Sequence, residues 1–365
     1  MMSATENQVF QPDLFCVQKP VFMPVAVAAE SGALEVLRNF YTVTEKMVRR
    51  LEEPKPAPIN SKIVIVHGQS EAFVLKGFEL EKFLPLKLEQ IEGRLRLVAE
   101  LRREARLPFP EIIPSIRGRL AVEDGHSLYY LMRYENGGAY YPHKDEQDID
   151  AVAACIGKLY EVLRPLSRKL DMPRRKYFES NEIRTFELLQ RAASNGSLDP
   201  SAQSYWPVFR KQYEMAYKEF SKCGWSQKEP EICHIDLHPH NLLLRNSKVV
   251  GVLDFESILF GNRIACLGFS VFKLLRNYAV LTKASQAKVS QIREKFIEKL
   301  IRNKALDSGD VPLLSLGVRL ENIKRFLYGF RNQNENKLRG GERMTIFGNA
   351  LSGEIDFIFN QAAGS

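Results

Sequence analysis

Apolar positions recur first with the spacing of a helix. Leu34, Leu37, Phe40 and Tyr41 share one face of a helix expected over Ser31–Arg50. The run Glu52-Glu53-Pro54-Lys55-Pro56-Ala57-Pro58 is expected to break it. Before it, residues 1–30 show no clear periodicity and read as a tail. After it the period drops to that of strands. Lys62–Val66 and Ala72–Lys76 flank the turn-like His67-Gly68-Gln69-Ser70 and predict a hairpin. A charged helix follows over 86–106, with Leu88, Ile91, Leu95, Val98 and Leu101 on its apolar face and Pro108 and Pro110 behind it. Glu111–Ile116, Leu120–Glu123 and Ser127–Tyr134 read as further strands, and Glu135-Asn136-Gly137-Gly138 ends the pattern.

Beyond that break helices dominate, over 149–170, 181–193, 201–222, 267–278, 285–303 and 314–330, with one β island at 232–253. The change places a boundary near Tyr134–Gly138. It divides the chain into a tail (1–30), a β-rich N-lobe (31–135) and a mainly helical C-lobe (136–365), an α+β architecture.

Length and composition fit this picture. A chain of 365 residues can bury one large core or two medium ones, and 45% hydrophobic residues are ordinary for a globular protein. The formal charge of +8 suits an anionic ligand. No aromatic-basic module accompanies it, so nucleic acid is not the expected partner. Cys16, Cys155, Cys223, Cys233 and Cys266 are scattered and never form a CxxC pair, which argues against a disulfide framework or a zinc ribbon. Met1–Pro20 lack a basic segment leading into an apolar one, and no apolar run approaches the roughly 20 residues that cross a bilayer. No membrane partner is expected, and a reducing, cytoplasmic setting is.

The candidate chemistry lies in the β island, Cys233-His234-Ile235-Asp236-Leu237-His238-Pro239-His240-Asn241 through Leu253-Asp254-Phe255-Glu256. Leu242–Leu244 and Val249–Leu253 read as the strands of a hairpin around Arg245–Lys248. If that hairpin is centred between Ser247 and Lys248, Asn241 falls opposite Asp254, about 5 Å away. An amide oxygen and a carboxylate so placed suit Mg²⁺, which takes few protein ligands and fills its shell with phosphate and water. Asp236 precedes them in a loop stiffened by Pro239 and can reach the same cavity. Phosphoryl transfer by kinases needs such parts: a loop Asp, a loop Asn on metal and a second metal-binding Asp. His234, Asp236, His238 and His240 also have the spacing of metal ligands, but His67, His126 and His143 form no matching cluster. A metallohydrolase is therefore the lesser alternative.

His234, Asp236, Asn241, Asp254 and Phe255 resemble the pattern of the aminoglycoside phosphotransferase and choline kinase group. Within it, residues 112–138 are similar to the homoserine-kinase and spore-coat-kinase branches. The resemblance implies a two-lobed, protein-kinase-like fold that uses ATP and Mg²⁺ to phosphorylate a hydroxyl of a small molecule: a sugar, amino alcohol, amino acid or antibiotic. Asp236 is then the base, Asn241 and Asp254 hold metal, and His234 positions the loop. Lys76 takes the nucleotide phosphates, with Glu92 as its helix partner and Glu89 and Glu100 as rivals. The backbone of Arg133, Tyr134 and Glu135 meets adenine, Met132 lines the pocket behind it, and Asn60 and Ser61 donate to phosphate. Three positions depart from the pattern. Ile235 stands where glycine is usual, the turn at 56–61 has no glycine, and Cys266 replaces an aspartate. They support a second expectation, a catalytically weak kinase-like binding or structural protein.

Overall fold

The structure is a computed structural model that describes residues 21–25, 32–43, 45–55, 61–79, 88–135, 145–168, 174–198, 200–225, 229–331 and 353–359. Its N-terminal part is a seven-stranded antiparallel sheet. The strands are β1 (Val21–Val25), β2 (Arg50–Lys55), β3 (Lys62–His67), β4 (Ala72–Glu79), β5 (Ile112–Ile113), β6 (Val122–Asp124) and β7 (Ser127–Arg133), in the order β1-β2-β3-β4-β7-β5 with β6 also on β7. The β3–β4 hairpin forms where the alternation predicts it, with His67, read as part of the turn, paired to Ala72 as the last strand residue.

Successive residues of these strands face opposite sides, and each side is covered by a helix. Val64, Val66, Leu75 and Leu131 pack with Leu34 and Leu37 of α1 (Gly32–Tyr41). Ile65, Val74, Tyr130 and Met132 pack with Ile91, Leu95 and Val98 of α2 (Leu88–Glu104).

Two expectations are corrected here. Val21–Val25, read as tail, is an edge strand, and Glu52–Lys55, read as the start of a break, belongs to β2 (Arg50–Lys55), which pairs with it and with β3. Pro54 is tolerated because the β2–β3 pairing ends at Glu52, so Pro54 has a strand neighbour only on the β1 side. The charge-rich sequence Arg50-Leu51-Glu52-Glu53 hides its alternation, since only Leu51 is fully buried. Helix α1 also stops at Tyr41 rather than Arg50, where Thr42 turns to φ 56°.

The C-terminal part holds helices α3 (Glu146–Leu163), α4 (Ser180–Ser194), α5 (Pro200–Lys222), α6 (Arg263–Thr282), α7 (Gln286–Arg302), α8 (Leu314–Arg331) and α9 (Ile355–Phe359). Asn262 caps α6 by accepting from Ala265 N (3.1 Å), and Ser285 caps α7. Helix α6 is long and apolar enough to cross a membrane by length and composition, but 83% of its apolar window is buried inside the protein, as befits a core helix.

Two ribbons sit on this helical base. Strand β8 (Glu231–His234) pairs with β11 (Ile258–Gly261), and β9 (Leu242–Arg245) pairs with β10 (Lys248–Val252). The second corrects the expected register. Its turn residues are Asn246 and Ser247, both at positive φ (49° and 53°), so Arg245 faces Lys248. A bulge between Val249 and Gly251 then shifts the pairing by one residue. Asn241 consequently lies across from Leu253, whose N–H donates to its carbonyl (2.9 Å), and Asp254 is one residue further on.

Candidate active site

His234 ends β8 with its side chain fully buried. Its Nε2–H donates to Leu253 O (2.8 Å), and its Nδ1 accepts from Asp236 N (3.3 Å). Those two bonds require the neutral ring. Burial lowers its pKa and keeps it so, against the bond to Leu253 and the nearby aspartates. The imidazole thus ties the loop after β8 to the end of β10. Pro239 opens a single turn of 3-10 helix whose start is capped by His238, and it leads directly to Asn241. Asn241 Nδ2 donates to Asp236 O (2.8 Å), so loop and ribbon share one rigid corner.

Asp254 follows β10 in the left-handed region (φ 63°, ψ 42°), an unusual place for a residue with a side chain. The turn is held by Ser257 N–H on Asp254 O (2.9 Å) and by Ser257 Oγ on Asp254 Oδ2 (3.0 Å). This conformation brings Asp254 Oδ1 to 2.5 Å from Lys76 Nζ, joining β4 of the N-terminal sheet to the segment after β10. Lys76 is buried and also pairs with Glu256. Burial alone would lower the pKa of Lys76, but the two carboxylates hold it well above its usual value. Burial alone would also raise Asp254, yet Lys76 keeps it below the usual carboxylate range. Glu256 moves the other way, raised by burial and by the neighbouring Asp254.

Asp236 has a different surrounding. Its side chain is 23% exposed, with Arg325 Nη2 2.9 Å from Oδ1 and His238 Nε2 3.5 Å from Oδ2. Burial would raise its pKa, but the Arg325 guanidinium and then His238 pull it well below the usual range. The Arg325 N–H is directed at Ile235 O (3.1 Å), so Oδ1 carries a charge contact without accepting a hydrogen bond.

The donor set fits a hard divalent cation. Asn241 uses its Nδ2 on Asp236 O, which leaves Oδ1 uncommitted among the described residues, and Asp254, one residue past its cross-strand neighbour Leu253, carries an ionised carboxylate. Asn241 and Asp254 would hold Mg²⁺ together with phosphate oxygens. Among the described residues no group of three or more His, Cys, Asp or Glu side chains is arranged around a common metal position, and His238 turns to Asp236 instead. The histidine-rich spacing is therefore a loop-shaping feature here.

Several expected site residues stand elsewhere. Glu92 is not the partner of Lys76. Its carboxylate is buried beneath the 115–120 turn, accepting from Arg119 Nε (2.7 Å) and Leu120 N (3.1 Å). The amides of Arg133 and Tyr134 cannot meet adenine, because they already donate to Glu111 O (2.8 Å) and Ala72 O (2.9 Å). Glu135 is the first residue past that pairing. Met132 is buried in the core shared with Val74. Ser61 borders β3, and Asn60 lies outside the described residues.

Sequence reasoning missed Glu256, Tyr130 as a polar partner, Arg94 and Arg325. Tyr130 OH donates to Glu256 Oε2 (3.1 Å), and Arg94 Nη1 donates to Glu256 O (2.6 Å). A signal for Arg94 was present. It occupies the apolar stripe of α2 between Ile91 and Val98, where a charge needs a specific partner.

The model of the phosphotransferase enzyme family matches residues 57–276, more than half of the chain. The chain belongs to this family. Spectinomycin phosphotransferase APH(9)-Ia, solved with ADP and spectinomycin, is similar in fold. The TM-score is 0.63 at 11% identity, over 90% of this chain and 97% of the other. Amicoumacin kinase hAmiN, solved with AMP-PNP, Ca²⁺ and Ami, gives 0.62 at 13% identity over 89% and 93%. A microcompartment-associated aminopropanol kinase gives 0.60 at 15% over 89% and 96%. No curated protein matches by sequence. Family membership makes the chain a small-molecule phosphotransferase, and the likeness to these kinases establishes the α+β, kinase-like fold that the sequence led us to expect.

Proposed function

We propose that the protein transfers the γ-phosphoryl group of ATP to a hydroxyl of a small molecule, with Asp236 as base. The observation that carries this reading is the partly exposed carboxylate of Asp236, whose Oδ1 is enclosed beside Arg325 and whose Oδ2 faces His238 at 3.5 Å. The acceptor hydroxyl would donate to that carboxylate. As its oxygen bonds to Pγ, the bond from Pγ to the bridging oxygen breaks, ADP leaves, and the hydroxyl proton passes to Asp236 and then to solvent. His234 and Asn241 keep the loop from turning Asp236 away. Lys76 would approach the nucleotide phosphates from the opposite wall. Asn241 and Asp254 would hold Mg²⁺, which would supply neutralisation of the phosphate charge.

The acceptor is a sugar, amino alcohol, amino acid or antibiotic. Relatives of like fold that act on spectinomycin and aminopropanol support that range. Arg325 beside Asp236 supports an acceptor without a dense cluster of positive charge. The free state of Cys155, Cys223, Cys233 and Cys266 supports a reducing, cytoplasmic setting.

Thermal melts with AMP-PNP, with and without MgCl₂, test the reading, followed by an acceptor panel coupled to ADP release. Stabilisation that requires both nucleotide and metal, then acceptor-dependent ADP release, is the expected result. A chain whose melting ignores every nucleotide is a kinase-like binding protein instead.

A further inference from the structure

Lys76 reaches from β4 to the segment after β10, and the structure assigns its permanent partner to Glu256 rather than to an acid on helix α2: we infer that Glu256 positions Lys76 for the nucleotide. The assignment rests on the phosphotransferase reading and adds a residue to it. Kinase-like sites hold the phosphate-binding lysine with a glutamate from the helix after its strand, and both that pair and the metal-binding Asp must be in place. Here the charges are exchanged. The inward face of α2 carries Arg94, 2% exposed, and the acid stands two residues after Asp254.

Four contacts make Glu256 a built support. Lys76 Nζ pairs with its carboxylate, whose side chain is 5% exposed. Tyr130 OH donates to Oε2 (3.1 Å) from β7, the strand paired with β4 through Lys76 and Tyr130 themselves. Arg94 Nη1 binds the Glu256 carbonyl (2.6 Å), so the helix grips the backbone of the segment instead of the lysine. Phe255, fully buried against Tyr130 and Phe109, anchors the chain directly before Glu256. Glu92, the acid on α2 that the sequence favoured, is spent on Arg119 and the Leu120 amide.

The arrangement divides the work between the two acids on Lys76. In the phosphotransferase reading Asp254 would hold the cation. Glu256 has no such duty and keeps the ammonium in place. Lys76 is therefore never left buried and unpaired, a state that is strongly unfavourable.

The test is the dissociation constant of Mg-AMP-PNP for the full chain and for E256Q, E92Q and Y130F, with a thermal melt of each. E256Q keeps the shape but removes the negative charge that faces Lys76, and its affinity is expected to fall about tenfold or more. E92Q is expected to melt earlier yet bind within about twofold of wild type, because its carboxylate serves the 115–120 turn. Y130F loosens Glu256 and shifts affinity in the same direction as E256Q, by less. Equal affinity in E256Q and wild type overturns the assignment, as does an E92Q chain weakened as much as E256Q. If E256Q does not fold, the remaining pair decides: weakening in Y130F with none in E92Q supports Glu256, and the reverse overturns it. A wild-type chain that binds no Mg-AMP-PNP removes the phosphotransferase reading and this assignment with it, whereas binding that ignores Glu256 removes only the latter.

Discussion

Arg325 Nη2 stands 2.9 Å from Oδ1 of Asp236, while its guanidinium stacks over the ring of Phe269 at 4.1 Å. The stacking fixes the plane of the arginine, so its charge remains beside the carboxylate. An opposite charge at this range favours ionisation of an acid by about 1–3 pKa units. Removing it in R325Q should raise the pKa of Asp236. The carboxylate must be ionised to accept a proton, so the acid limb of the kcat/KM profile should move to higher pH in the variant. R325K should sit between the two. An acid limb that stays in place in R325Q would show that Arg325 does not tune this group.

Replacing Asp236 by Asn separates binding from transfer. The side chain keeps its size, and His234 and Asn241 still hold the loop through Asp236 backbone atoms. Turnover should fall about 10²–10⁴-fold, the usual range for a lost general base. Affinity for Mg-AMP-PNP, measured by titration, should remain close to wild type. Turnover retained in D236N would exclude Asp236 as base.

Asp254 carries the metal-dependent part of nucleotide binding in this reading. In wild type, AMP-PNP with MgCl₂ should stabilise the fold more than AMP-PNP alone. D254A should abolish that difference while leaving a small metal-independent shift, since Lys76 still reaches the phosphates. A metal-dependent increment that survives in D254A would move the cation elsewhere.

Much of this site was legible because its chemistry is local in sequence. Asp236, Asn241 and Asp254 lie within one loop and ribbon, and residue type plus spacing brought them together. The register was not legible. It depends on which two residues of Arg245–Lys248 make the turn and on the Val249–Gly251 bulge, and neither leaves an alternation signal. Partners that come from distant elements were also hidden. Lys76 meets Glu256 across 180 positions of sequence, so periodicity could place each residue on its element but not choose Glu256 over Glu92. Strand β2 escaped because Glu52 and Glu53 are only half-buried, and period-2 patterning needs an apolar face to be seen.

Glu321 links helix α8 to the segment before α4, and its stability contribution should depend on pH. Arg175 binds it at both oxygens (3.0 and 2.7 Å), Tyr177 OH donates to Oε1, and its side chain is fully buried. Burial alone would raise its pKa, but Arg175 and Arg325 hold it below the ordinary value of 4.5. A depressed folded pKa means that the unfolded chain binds the proton more readily. The stabilisation is therefore present above pH 4.5 and is lost as pH falls through the lower folded value. E321Q should cost about 3 kcal/mol at neutral pH, because it leaves Arg175 buried without its counter-charge. Denaturant melts should show the gap between wild type and E321Q narrowing below pH 4.5. A gap constant from pH 7 to pH 3 would contradict the pairing.

Gly268 and Gly317 set how closely α6 and α8 cross beneath the catalytic loop. A Cβ on Gly268 would lie 2.5 Å from Leu314 O, and one on Gly317 would lie 2.6 Å from Ala265 Cα. Both obstacles are backbone atoms, which cannot swing aside as a side chain can. An alanine at either position must push the helices apart, and overpacking of this kind costs about 1–3 kcal/mol. The consequence should reach the site, because Arg325 rides on α8 and Phe269 on α6, and their stacking depends on the same crossing. G268A and G317A should therefore lower both the melting temperature and kcat. G309A, where a Cβ meets no atom within 4 Å, should change neither and serves as the control. If G268A melts like wild type, the two helices have room that the backbone contact denies. If it melts early but turns over at the wild-type rate, the crossing supports the fold without governing where Arg325 stands.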